Sequence, residues 1–197
     1  YNPTADAINL SSYTLQRYSN GSNNATDELQ LEGVVEPYGT WVVVNGQTED
    51  IDLGGGSISW AADPLIQAYA DQLGNPYPDP LYMNGDDALM LVKDGNIIVD
   101  IFGKPGEDPG NAWTDDEGAG YTSANGGTGL TANQTLRRKP TVVQGVNTVP
   151  LVFNALAEYD SLPNETWNGL GIHSCECDPN YIEPSTSCIT DYDFAGQ

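Results

Sequence analysis

The sequence predicts an all-β fold: an antiparallel β-sandwich of short strands, with one inserted short helix and long loops. Three observations support this. Apolar and polar residues alternate over short runs, the period of a strand with one buried face. Gly, Pro, Asn and Asp punctuate those runs, with 22 Gly and 13 Pro in 197 residues. No repeat of fixed period runs through the chain, which sets aside solenoids and propellers.

In chain order, Ile8, Leu10, Tyr13 and Leu15 form the first alternation, and Leu29 and Leu31 the next. Glu36-Pro37-Tyr38-Gly39 reads as a turn into an inner strand over 41–44. Asp63 and Pro64 supply an N-cap and a first-turn proline, Leu65, Ile66, Tyr69 and Leu73 make one apolar face, and Gly74 is a stop signal. That spacing predicts a helix over 64–73. Residues 88–92 and 97–102 read as a hairpin around Asp94-Gly95-Asn96. Two further strands are expected at 134–138 and 141–144, separated by Pro140, and a short helical turn at 155–159. The segments 103–130 and 180–197 have little regular pattern, and loops that long carry function or fold as packed excursions. The expected organisation is a sandwich domain over 1–174 and a Cys-containing C-terminal extension over 175–197.

A chain of 197 residues suffices for one domain with a substantial core. Its apolar fraction of 39% and mean hydropathy of −0.39 are those of a globular chain, and no apolar run is long enough for a membrane span. Acidic residues number 28 against 6 basic ones, a net charge of −22. Such a chain repels phosphate backbones, which argues against a nucleic-acid partner. It suits a salty or calcium-rich exterior.

The three cysteines, Cys175, Cys177 and Cys188, all lie late in the chain. They suggest one local disulfide and one thiol left over, with the pairing open. Five N-x-S/T triplets, at Asn9, Asn20, Asn24, Asn133 and Asn164, are candidate glycosylation sites. These features point to a secreted, extracellular or cell-surface protein.

With the strands placed, the chain resembles the lamin tail domain family, in its bacterial secreted, immunoglobulin-like version. The matching segments are Tyr1-Asn2-Pro3-Thr4-Ala5-Asp6-Ala7-Ile8-Asn9-Leu10-Ser11-Ser12-Tyr13-Thr14-Leu15, then Tyr82-Met83-Asn84-Gly85-Asp86-Asp87-Ala88-Leu89 and Leu136-Arg137-Arg138-Lys139-Pro140-Thr141-Val142. The stretch from Glu158 to Ser174 resembles the close of the domain. The resemblance implies an immunoglobulin-like sandwich and a non-catalytic adhesive or architectural module, or an appendage of a secreted nuclease or hydrolase. Family members place a strand ahead of the segment matching Tyr1-Asn2-Pro3-Thr4. The resemblance therefore implies a missing strand, lost by trimming or supplied by another part of the chain or by a neighbour. An unpaired sheet edge is a template for strand addition, and a head-to-tail donor would build a filament.

The inventory of chemistry is thin. The only histidine is His173, so any Ser-His-Asp or Cys-His arrangement would need it. Its neighbours Ser174, Cys175 and Cys177 lie in one local run, whereas triad members converge from separate elements. Zinc would have to take His173 and all three cysteines at a C-x-C spacing unlike common zinc knuckles, so disulfide chemistry is favoured. Asp108, Asn111, Asp115, Asp116 and Glu117 crowd one Gly-rich loop and offer the oxygen ligands that Ca²⁺ takes, without EF-hand spacing; a solvated acidic loop is the alternative. No spacing singles out a carboxylate pair for glycoside hydrolysis. Arg137, Arg138 and Lys139 form a candidate self-association patch in an otherwise acidic chain, or a strand whose bases pair with neighbouring carboxylates. Asp86 and Asp87, side by side before a strand, read first as turn architecture and second as calcium ligands.

The expectation is a non-enzymatic structural or adhesive module, a filament subunit in its sharper form. Its partner would be a second copy or another surface protein or glycan. The alternative is an accessory binding domain of a secreted nuclease or hydrolase that recognises carbohydrate or another polymer.

Overall fold

The structure, a computed structural model, describes residues 1–183. Among them the chain is mostly β, with short helical turns. The elements are β1 (Ile8–Asn9), β2 (Tyr13–Tyr18), β3 (Asp27–Gln30), β4 (Val34–Val35), β5 (Val43–Val44), β6 (Ile51–Gly54) and β7 (Ser57–Ser59). They continue with α1 (Pro64–Gln67), β8 (Gln72–Leu73), β9 (Ala88–Lys93), β10 (Ile97–Phe102), β11 (Gln134–Arg138), α2 (Ala155–Glu158) and β12 (Tyr159–Pro163).

The centre is a four-stranded antiparallel sheet in the order β10-β9-β2-β3. The expected hairpin of β9 and β10 is present, turning at Asp94 and Gly95, both with positive φ. The remaining strands form separate two-stranded ladders, β1-β4, β5-β8, β6-β7 and β11-β12, of which only β5-β8 is parallel.

The period-2 rule sorts the central side chains into two cores. On one face Leu15 and Leu91 pack with Leu29, Leu31 and Leu10, and Ile8, Val35 and Val43 cover them. On the other, Met90, Val92 and Ile101 pack with Tyr18, Ile98 and Val146. β9 is thus covered on both sides, which explains its nearly continuous apolar sequence. A third cluster joins Trp113, Phe153 and Ala155 to Phe102 and Tyr159, with ring centroids of Trp113 and Phe153 5.3 Å apart.

Three expected elements differ. The helix over 64–73 is a single turn. Asp63 caps it, its Oδ1 accepting from Leu65 N at 2.8 Å, but it ends at Gln67. Beyond it Asp71 N and Gln72 N donate to Val42 O, and Gln72 and Leu73 pair with β5. Tertiary pairing thus overrides the helical period, and Leu65, Tyr69 and Leu73 are left exposed. The strand expected over 41–44 is cut to two residues because the Asp71 carboxylate takes the Val42 amide at 2.8 Å. No strand forms at 141–144, where Val142 N donates back to Lys139 O and turns the chain away from β12. The short turn expected at 155–159 is α2.

The long segment after β10 is a packed excursion. Ala112, Trp113, Thr114, Ala119 and Thr122 are buried in it, and Trp113 bridges to Thr122. Thr131 ties it to the sheet entrance: its Oγ1 accepts from Trp113 N at 2.9 Å and donates to Gly85 O. Asn2, also buried, is a polar hub at the start of the chain. Its side-chain amide donates to Asp6 O at 2.7 Å and Glu36 O at 3.0 Å, and its Oδ1 accepts from Thr4 N at 3.0 Å.

Candidate functional site

An open groove of about 770 Å³ lies among the described residues. Leu91 and Val99 of the central sheet form one wall, Leu136 of β11 and Val143 the other, and Trp41 and Trp167 are further lining residues. The sequence builds it locally. β10 bulges between Ile98 and Asp100, so Asp100 pairs with Leu91 and Val99 is the extra residue. Gly145 then lies so close that a Cβ there would sit 2.2 Å from Val99 O.

Polar order at the groove comes from Asp100. Its Oδ1 accepts from Val146 N at 2.8 Å, and its Oδ2 pairs with Arg138, which also bonds Glu158 Oε2 at 2.5 Å. Arg138 lies over the Tyr159 ring at 5.4 Å. Burial opposes its charge, but hydrogen bonds to Asp100 and Glu158 and the charges of Asp100 and Tyr159 together outweigh that and hold the guanidinium pKa above its ordinary value. Burial pushes the Tyr159 phenol up. His173 also lines the groove, its ring 4.8 Å from that of Tyr1. Burial first, then the positive N-terminus and Arg138, lower its pKa.

The expected basic patch is largely spent inside the fold. Arg138 is in the Asp100 and Glu158 pairs, Lys139 Nζ donates to Leu156 O, and Arg137, though exposed, donates to Asn168 O. The loop acids are also in use, as turn builders. Asp108 Oδ1 accepts from Gly110 N at 2.8 Å, and Asp116 Oδ1 caps a short helical turn by accepting from Ala119 N at 3.2 Å. Asn111, Asp115 and Glu117 are exposed. Among the described residues, no three His, Cys, Asp or Glu side chains converge as metal ligands. Asn9, Asn20, Asn24, Asn133 and Asn164 are all exposed. Cys175 and Cys177 are bridged, with Cys175 buried, and Glu176 N donates to Pro140 O at 3.0 Å, so the first residues of the extension sit on the domain. Cys188 lies outside the described residues.

Sequence reasoning missed a buried charge cluster at the entrance to β9. Arg17 donates to Asp27 Oδ2 at 2.6 Å and to Tyr82 O at 3.0 Å, and reaches Asp87 Oδ2 at 3.4 Å. Asp87 Oδ1 accepts from Asn20 N at 3.0 Å. Asp86 beside it is buried, and its Oδ1 has no hydrogen-bond partner among the described residues. Burial, then the charges of Asp87 and Asp108, raise the Asp86 pKa. The only signal in the sequence was the adjacency of the two aspartates.

No protein-family model, curated protein or solved structure matches the chain. The functional reading therefore rests on residues and geometry.

Proposed function

We propose that this chain is a secreted, non-enzymatic module of the lamin-tail, immunoglobulin-like kind, a structural or adhesive unit of an extracellular assembly. It works by taking an extended apolar segment of a second copy into the groove between the central sheet and β11. The observation that carries the reading is the groove itself, lined by the apolar side chains of Leu91, Val99, Leu136 and Val143 and bordered by the two-stranded ladder β11-β12, a sheet short enough to take a further strand. Two of the groove's charged residues, Asp100 and Arg138, are locked in a mutual pair.

Native-state size measurement and electron microscopy of the purified protein test this. Fibres or large oligomers are expected, and Val143→Glu, at a groove position 46% exposed, should return them to monomers. A wild-type protein that stays monomeric at high concentration would overturn the reading. The accessory-domain alternative draws on one observation, the exposed rings of Trp60 and Tyr69, since aromatic faces are amphipathic contact surfaces. A monomer that binds glycans and loses them on Trp60→Ala would establish it.

A further inference from the structure

Resting on the self-assembly proposed above, we infer that Val149-Pro150-Leu151-Val152 is the apolar knob that one copy inserts into the groove of the next, in a head-to-tail contact. The first observation is exposure. Leu151 is 91% exposed, and Val149 and Val152 are exposed beside it. Single apolar residues at a surface are ordinary, but three in one run of four make a local apolar projection. The run belongs to no helix or strand.

The fold nonetheless holds this run in place. Before it, Val146 packs against Met90, Val92 and Ile101, and its amide donates to Asp100 Oδ1 at 2.8 Å. After it, Phe153 is buried with its ring against Trp113. Between these anchors Lys104 Nζ donates to Leu151 O at 2.8 Å, and Pro150 has its φ fixed by its own ring. An apolar group displayed on a tethered backbone leaves little to order on docking, which lowers the entropic cost of association.

The second observation is charge, and it points to a second copy as the occupant. Two chains of net charge −22 repel each other and can meet only where that repulsion is weakest. Residues 118–157 contain no Asp or Glu, yet carry Arg137, Arg138 and Lys139, half of the six bases. The knob lies in this acid-free stretch, and Glu107, which shares Lys104 with Leu151 O, is paired by that lysine. The groove matches it. The acids in its lining, Asp100 and Glu165, are balanced by Arg137 and Arg138, around the apolar side chains already described. Each molecule thus carries an apolar knob free of acids and an apolar concavity of balanced charge.

Residues 149–152 are not part of the groove lining, so knob and groove are distinct surfaces. A contact that joins one to the other leaves a free groove on one copy and a free knob on its neighbour. That is a heterologous contact, and it propagates.

Sedimentation velocity of the whole protein over a concentration series, at physiological ionic strength where exposed charges are screened beyond about 8 Å, tests the assignment. Leu151→Glu should raise the concentration needed for half-assembly at least about 10-fold, the scale of losing an interface anchor. Its circular dichroism should match the wild type, since a side chain 91% exposed packs against little. Leu151→Met should assemble normally, and so should Leu65→Glu, which places the same charge at an exposed leucine elsewhere. The decisive sample is a mixture. Leu151→Glu retains its groove and Val143→Glu retains its knob, so the two, each monomeric alone, should form 1:1 dimers that grow no further. A mixture that stays monomeric would overturn the inference, as would equal loss of assembly in Leu65→Glu and Leu151→Glu. Assembly of Leu151→Glu at wild-type concentrations would overturn the choice of segment while leaving the groove reading intact, whereas a monomeric wild type would remove both.

Discussion

Replacing Arg17 by leucine isolates the charge cluster at the foot of the central sheet. Arg17 sits in β2 with a side chain 10% exposed, and its partners Asp27 and Asp87 are 9% and 3% exposed. It gives Asp27 Oδ2 two hydrogen bonds, at 2.8 Å and 2.6 Å, and a third to Tyr82 O. Arg17→Leu preserves most of the apolar stem but strands two carboxylates and one carbonyl. Removing one partner of a buried ion pair costs about 3–5 kcal/mol, chiefly through the charge left behind. With a urea m-value of about 2 kcal/mol/M, the midpoint should fall by about 1.5–2.5 M with the slope unchanged. Circular dichroism in a urea titration reads this directly. Adding Asp27→Asn and Asp87→Asn should recover a large part of the loss, because the cost lies in the orphaned charges. A loss below about 1 kcal/mol, the range of exposed pairs, would refute the claim that the cluster is buried and interdependent.

Trp113→Ala should cost about 3–5 kcal/mol in the same titration, since the ring is 0% exposed and its packing partner Phe153 is left facing a cavity. Asn2→Ala strands the Glu36 and Asp6 carbonyls, and a loss of about 1–3 kcal/mol in denaturation midpoint is expected. His173, the single histidine, should titrate by proton NMR below the ordinary value of about 6.5. The unfolded chain then takes up its proton first, so the stability tied to this group is complete above about pH 6.5 and declines as pH falls toward the folded pKa. A midpoint at or above 6.5 would contradict the burial of His173 in the groove.

What the sequence disclosed was local. The β9-β10 hairpin was legible because alternation and the Asp94-Gly95-Asn96 turn agree, and the Asp63 cap because capping is a property of neighbouring residues. The length of α1 was not, since a pairing with Val43 and Val44 captures Gln72 and Leu73. Arg138 could be anticipated as a strand base facing carboxylates, and it pairs with Asp100, 38 residues away. Asp86 read as turn architecture, and its burial was hidden because Thr131 and Ala132, pressed against the neighbouring Gly85, are distant in sequence. The groove was invisible for the same reason: its lining comes from stretches far apart in sequence, among them the bulge at Val99.

The double burial of β9 has a consequence for how the molecule opens. Its amides and carbonyls are paired on both edges and shielded on both faces, so Met90 and Val92 should be among the last to exchange hydrogen with solvent. The ladder β5-β8 is only two residues long, so it should exchange at lower free energy. Rigidity is thus concentrated in a single spine while the surrounding ladders yield. A body built this way can open at its flank without loosening the spine that holds it together.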